Sequence, residues 1–272
     1  MPLAWNRRMI AILATLLSAT ASPCTPVPGA DRLWQPTTRW VLVGELHGTN
    51  ETPDAFANLV CLAASTIRPI TVALEYSADD QAVVESYLAS DGSDRARSAL
   101  LRLSIFTSAM KDGRGSVAFV RLFDQLRRMK QAGKIRGVVG SDVGRSTPAG
   151  QERDASMAQT WTTIPAPDKG IILALVGNVH AMRKAMVRPN HTIITAGSLM
   201  PAERTVTVNV VGGGGKAWNC QQDGCGAHDA GRPSEAATGI TYSTDEDRQW
   251  DASYQLGMPT TAAAPAVATK AM

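Results

Sequence analysis

No apolar run reaches the length that a bilayer span needs, about 20 residues, anywhere in the 272-residue chain. Charge of one sign is not concentrated either. The 27 Lys and Arg are interspersed with 24 Asp and Glu, for a formal net charge of +3, and no basic face for nucleic acid is indicated. No unit repeats at a period of roughly 20 to 50 residues. The glycine run from Gly212 to Gly215 is no nucleotide loop, because neither a helix nor a Lys-Ser/Thr pair follows it. Histidine is sparse, with four residues, so the positions it takes carry weight. With 44% hydrophobic residues the chain can bury a full core, and its length suits a single α/β domain.

The N-terminal text reads as a targeting segment. Arg7 and Arg8 precede the apolar stretch from Met9 to Ala21, and Ala19 and Ala21 are small residues where a signal peptidase reads. Residues 1–21 are therefore expected to be a cleaved signal peptide and the mature protein to be exported, periplasmic or secreted. Pro23 directly before Cys24 argues against a lipoprotein. Thiols that leave the reducing cytosol tend to pair, and there are four cysteines. Three connectivities are open. The spacing of Cys220 and Cys225 suits a local disulfide, which leaves Cys24 with Cys61. Zinc on this C-x4-C with His228 is disfavoured, since structural zinc sites use tighter spacings and four ligands.

Residues 22–37 carry Pro23, Pro26, Pro28, Gly29 and Pro36 and read as an irregular lead-in. A strand is expected at about 39–44, then a helix capped by Thr52 with Pro53 at its first position and Phe56, Leu59, Val60 and Ala63 inward. Further strands are expected at 70–74, 135–140 and 171–176, and helices at 78–90, 117–131 and 149–162. A helix from Ala181 to Val187 and strands at 192–195 and 205–211 complete this part. Such alternation predicts an α/β fold: a central, mainly parallel sheet with helices on both faces and antiparallel pairing at an edge, over residues 38–211. Residues 212–259 form a Gly- and Cys-containing extension. The Ala/Thr/Pro tail, 260–272, has the composition of a disordered segment.

Chemistry concentrates where the strands end. Val41 to Val43 run into Gly44, Glu45, Leu46 and His47; the run from Ile171 to Val176 ends in Gly177, Asn178, Val179 and His180. Two of the four histidines thus share one local frame: strand, glycine, two residues, histidine. The second strand ends in Glu75 and the third in Asp142. In open α/β sheets ligands bind outside the carboxyl ends of the strands, so Glu45, His47, Glu75, Asp142 and His180 are expected on a common rim. Two mechanisms suit them. A carboxylate such as Glu75 can orient a histidine that acts as general base. Alternatively His47, His180 and Glu75 hold a divalent ion that lowers the pKa of a bound water. Arg114, in a Gly-flanked loop after Asp112, and Arg153 are candidates for holding an anionic or developing negative group. Asp154 beside Arg153 reads as favouring a helix N-terminus. His191 and His228 read as structural or exposed, and Asn50 and Asn190 fit a short glycosylation pattern.

Taken in order, Gly44-Glu45-Leu46-His47-Gly48-Thr49, Glu75, Asp112-Gly113-Arg114, Arg153-Asp154 with Met157-Ala158, and Gly177-Asn178-Val179-His180-Ala181 resemble the erythromycin esterase/ChaN-like/Tiki superfamily over about residues 38–200. The resemblance implies an α/β fold with a site at the sheet rim. Its esterase branch implies activation of water by a histidine and a glutamate, here His47 and Glu75, with His180 nearby. Its Tiki branch implies a divalent metal on His47 and His180, and its ChaN-like branch implies haem. The reading is an exported hydrolase with a small-molecule or peptide substrate, the alternative a haem-handling protein without turnover. An aromatic content of 5% gives little support for a haem pocket.

Overall fold

The structure is a computed structural model that describes residues 24–143, 151–165 and 169–268. The expected signal segment lies outside the described residues. Elements follow in chain order as β1 (Trp40–Glu45), α1 (Glu51–Ala64), β2 (Ile70–Ser77), α2 (Gln81–Ala89), α3 (Asp94–Leu100), α4 (Ser104–Thr107), α5 (Val117–Gln131), β3 (Val138–Asp142), α6 (Gln151–Thr163) and β4 (Ile171–Gly177). Then come β5 (Met186–Arg188), β6 (His191–Ile193), β7 (Thr205–Val211), β8 (Lys216–Gln221), β9 (Gly224–Asp229), β10 (Gly239–Tyr242) and β11 (Ala252–Gln255).

Seven strands form one sheet in the order β10-β11-β7-β1-β4-β2-β3. All neighbours pair in parallel except β10 with β11 at one edge. The fold is the expected α/β type, and its alternating side chains explain the layers. Val41, Val43, Val72, Leu74, Leu173 and Leu175 face a core shared with α1, α2 and α5. Their alternates Trp40, Leu42, Ala73, Ile172, Ala174 and Val176 face Met157, Ala158 and Trp161 of α6. Both faces are covered, which is why the central strands read as unbroken apolar runs rather than alternating ones.

Several expectations are corrected. Residues 181–185 form no helix; Met186 to Arg188 pair antiparallel with His191 to Ile193 in a separate two-stranded hairpin. The strand at 205–211 is central and parallel to β1, and the antiparallel edge strand comes from the extension after 212. Helix α1 starts at Glu51, so Thr52 lies inside its first turn, with its amide 3.4 Å from Thr49 Oγ1. The tail, expected to be disordered from 260, is packed as far as residue 268. Thr260 is 5% exposed and Ala263 is fully buried. Composition misleads here because backbone hydrogen bonds hold this segment. The Ala263 amide donates to Gly48 O (2.8 Å), that of Val117 to Ala264 O (2.9 Å) and that of Ala266 to Gly115 O (2.9 Å).

Both disulfides pair as the spacing favoured, Cys24 with Cys61 and Cys220 with Cys225. The second closes the hairpin β8–β9, in which the two cysteines face each other across the strands. No described helix is long and apolar enough to cross a membrane. Among the two glycosylation patterns, Asn50 is engaged: its side-chain amide donates to Thr261 Oγ1 and Ala262 O, both at 3.1 Å.

Ending the chain at Pro259 removes these tail contacts. Denaturation in urea should then show a loss of about 2 kcal/mol or more, at about 1 kcal/mol net per hydrogen bond. A midpoint unchanged from the full chain would mean that the strap adds nothing to stability.

Candidate active site

Because β1, β4, β2 and β3 are adjacent and parallel, their carboxyl ends line up at one rim. Glu45 closes β1, Glu75 lies near the end of β2, Asp142 closes β3, and Gly177 closes β4 three residues before His180. Gly44 sits within β1 rather than in a turn. A Cβ there would lie 2.8 Å from the Asn178 backbone, so glycine is required by close approach. At Gly48 the backbone has φ of 81°, and a Cβ would come within 1.9 Å of Trp218 O, so only glycine lets the loop after His47 turn beneath the hairpin β8–β9. Gly48 O in turn accepts from the amides of Trp218 and Ala263, both at 2.8 Å.

The buried carboxylate of Glu75 is the hub. Its Oε1 accepts from Arg114 Nη1 at 2.8 Å and Arg153 Nη2 at 2.5 Å. Its Oε2 accepts from the Gly177 amide at 2.7 Å and lies 3.5 Å from His47 Nε2. Arg153 also clamps Asp142 through Nε (2.7 Å) and Nη2 (2.8 Å), a two-point contact that only a guanidinium makes. Arg114 holds Asp112 through Nε (3.0 Å) and Nη2 (2.6 Å), and reaches Asp142 Oδ2 at 3.1 Å.

His47 and His180 each have a carboxylate on Nδ1. His47 Nδ1 lies 2.9 Å from Glu45 Oε1 and His180 Nδ1 2.8 Å from Asp154 Oδ1. The Asp154 oxygen also accepts from the Ala196 amide at 2.7 Å. An ionised carboxylate only accepts hydrogen bonds, so these contacts assign Nδ1–H as the donor and leave Nε2 toward the rim. His180 Nε2 lies 2.7 Å from Arg153 Nη1. Gly177 marks where the rings meet: a Cβ there would be 3.0 Å from His47 Nε2, 3.4 Å from His180 Cδ2 and 3.5 Å from Glu75 Oε2. The shared local frame thus brings the two histidines to one point in space.

Electrostatics follow from this packing. Burial would raise Glu75, but His47, Arg114, His180 and Arg153 overcome it and hold the carboxyl far below the usual range. Burial lowers His47, and the charges of Glu75 and Glu45, with the Glu45 hydrogen bond, outweigh it, so His47 stands above its ordinary value. Burial pushes Glu45 up, and its Oε2 is buried without a hydrogen-bond partner among the described residues. Arg114 and Arg153 are both raised: burial opposes their charge, but Glu75 with Asp112 and Asp142 overcomes it.

The structure thus gathers Glu45, His47, Glu75, Arg114, Asp142, Arg153 and His180 at one rim. His191 is exposed in the hairpin β5–β6, and His228 lies in β9 against Asn219 (2.8 Å) and Asp223 (3.1 Å), both apart from the gathered set. Asp154 is more than a helix-end charge, since it orients His180. The signal for it was its place beside Arg153, on the same first turn. The hold of Trp218 and Ala263 on Gly48 had no counterpart in the local sequence.

The donor set does not fit a divalent ion. No group of three or more His, Cys, Asp or Glu side chains among the described residues is arranged to hold one. His180 Nε2 faces a guanidinium, and both Glu75 oxygens are already occupied by cations and an amide. The side chains of His47, His180 and Glu75, expected as a metal set, are engaged here in a histidine–carboxylate–arginine network. The described residues give a haem reading no support: His47, His180 and His228 have polar or charged groups near both ring nitrogens, and His191 is exposed in the hairpin β5–β6.

The fold and rim define an α/β protein whose candidate site is a network of two carboxylate-held histidines and two arginines. No family model matches the chain, and no curated protein matches it in sequence. Solved structures with a similar fold include a succinoglycan biosynthesis protein, with a TM-score of 0.62 at 10% identity over 84% of this chain and 89% of that one. An erythromycin esterase mutant in its open conformation gives 0.61 at 12% identity, covering 86% and 93%. A Bacillus cereus protein gives 0.54 at 12%, covering 89% and 95%. The chain shares the fold of these structures, the erythromycin esterase among them, in agreement with the α/β fold that the order of its motifs implied.

Replacing Glu75 by Gln leaves Arg114 and Arg153 short of a buried counter-charge. At neutral pH a loss of about 3–5 kcal/mol is expected in urea denaturation. Glu75 is depressed in the folded state, so its contribution is fully present above the unfolded value of about 4.3 and is lost as pH falls below it. The gap between wild type and variant should therefore narrow in acid; a gap constant down to the acid transition would contradict this.

Proposed function

We propose that the protein is an exported hydrolase that activates water at His47 for attack on an acyl carbon, in a small ester or lactone or in a peptide. The observation that carries this reading is the convergence of two carboxylate-held imidazoles on Gly177 beside Glu75. In its neutral form His47 has Nδ1–H on Glu45 and a lone pair on Nε2, the arrangement a general base needs. As water attacks, its proton passes to Nε2, and the imidazolium that forms is stabilised by Glu45 and Glu75. The oxyanion that develops on the substrate is met by the Arg153 guanidinium, which Asp142 and the His180 Nε2 lone pair hold in place while Asp154 fixes the His180 ring. His47 then returns the proton to the leaving group. The erythromycin esterase among the fold neighbours supports hydrolysis of a small-molecule ester, and the two disulfides are compatible with export.

A screen of ester, lactone and peptide substrates should identify activity that His47→Ala lowers by about 10²–10⁴-fold, the range of a general base, while circular dichroism shows the variant still folded. An unchanged rate in that variant sinks the proposal. Because the base must be neutral and His47 is raised, the acid limb of kcat/KM should fall as pH drops through a value above the ordinary imidazole range of about 6.5. A limb at or below that range would remove His47 from the role.

A further inference from the structure

The opposite rim of the sheet, where the strands begin, has a different character. A cavity of about 560 Å³ opens between the loop leading into β2 and the loop leading into β3. Among the described residues it is lined by Arg68, Lys130, Lys134 and Arg136, with Ile67 beside them and no acidic side chain. Ile67 is fully exposed, at 104%. Some of these cations have local work: Arg68 donates to the carbonyls of Lys169, Gln35 and Thr38, and Lys130 to that of Arg136. Lys130 also lies in the last turn of α5, where a cation suits the helix end. The side chains of Lys134 and Arg136, however, have no ion pair or hydrogen bond among the described residues, while Arg39 and Arg204 stack against Trp40 on the same rim. Burial together with the charges of Arg39 and Arg204 depresses Arg68, so the positive charges here act on one another.

We propose that this rim is a docking surface for an anionic phospholipid membrane, with Lys134 and Arg136 meeting headgroup phosphates and Ile67 entering the interface. Ile67 decides between occupants. A free phosphate, a nucleic acid or an acidic peptide gains from the cations alone, whereas a membrane offers both anionic headgroups and an apolar layer for one projecting aliphatic side chain. Docked this way, the chain turns the His47 rim away from the membrane, toward solvent, because the two rims are opposite ends of the same parallel strands.

Cosedimentation of the full chain tests this, using vesicles of phosphatidylcholine alone and of equal parts phosphatidylcholine and phosphatidylglycerol. Binding is expected only to the anionic vesicles and should weaken with rising salt. The double variant K134E/R136E should reduce it by about tenfold or more, and Ile67→Ser by about tenfold. Both changes are at solvent-accessible positions, and an unchanged thermal midpoint would check that each variant is folded. Equal binding to both vesicle types, binding unaffected by either variant, or retention by phosphate or DNA columns without vesicle binding would each overturn the proposal.

Discussion

The site depends on one buried carboxylate. Glu75 is 1% exposed, and an isolated charge in that position would be driven to neutralise. It stays ionised because four groups from four separate segments are brought to it: Arg114 from the loop before α5, Arg153 from α6, the Gly177 amide from the end of β4 and His47 from the loop after β1. The same contacts read in reverse define the site. Each arginine is fixed by Glu75 and by a second carboxylate, Asp112 or Asp142, and the charge of Glu75 raises His47. A histidine whose proton affinity is raised between two carboxylates is a better base once neutral, and the imidazolium it forms needs no reorganisation to be stabilised.

The scaffold converts this requirement into geometry. Parallel pairing of β1, β4, β2 and β3 puts their ends level, and covering the sheet on both faces leaves its edges and ends as the places where polar groups gather. The C-terminal region then finishes the work. It adds the outer strands β10 and β11 and crosses back to the His47 loop, where Trp218 and Ala263 bond to Gly48 from two directions. A segment that looks dispensable by composition is thus a clamp on the residue next to His47.

Much of this was legible in the residues. The apolar runs at 41–43, 70–74 and 171–176 read as buried strands of a two-faced sheet, which placed the carboxylates and histidines at their ends on a common rim. What was not legible has physical reasons. The segment 181–188 has helix-permitting residues, but there Thr195 Oγ1 bonds to the Met182 carbonyl and the chain turns into a hairpin instead. The strands after Gly212 are short, and the place of β11 in the sheet is set by a partner far away in sequence, β7. The tail is held by backbone bonds, which leave no mark on composition. The metal reading weighed only the acids and histidines; it did not anticipate that Arg114 and Arg153 would take the cationic places among them.

The central claim is that His47 carries its proton on Nδ1, held by Glu45, and that Glu75 raises its proton affinity. An NMR titration of the His47 ring nitrogens measures both at once. The account predicts an Nδ1–H tautomer at high pH and a titration midpoint above the ordinary imidazole value of about 6.5. A neutral ring protonated at Nε2, or a midpoint below that value, would contradict it.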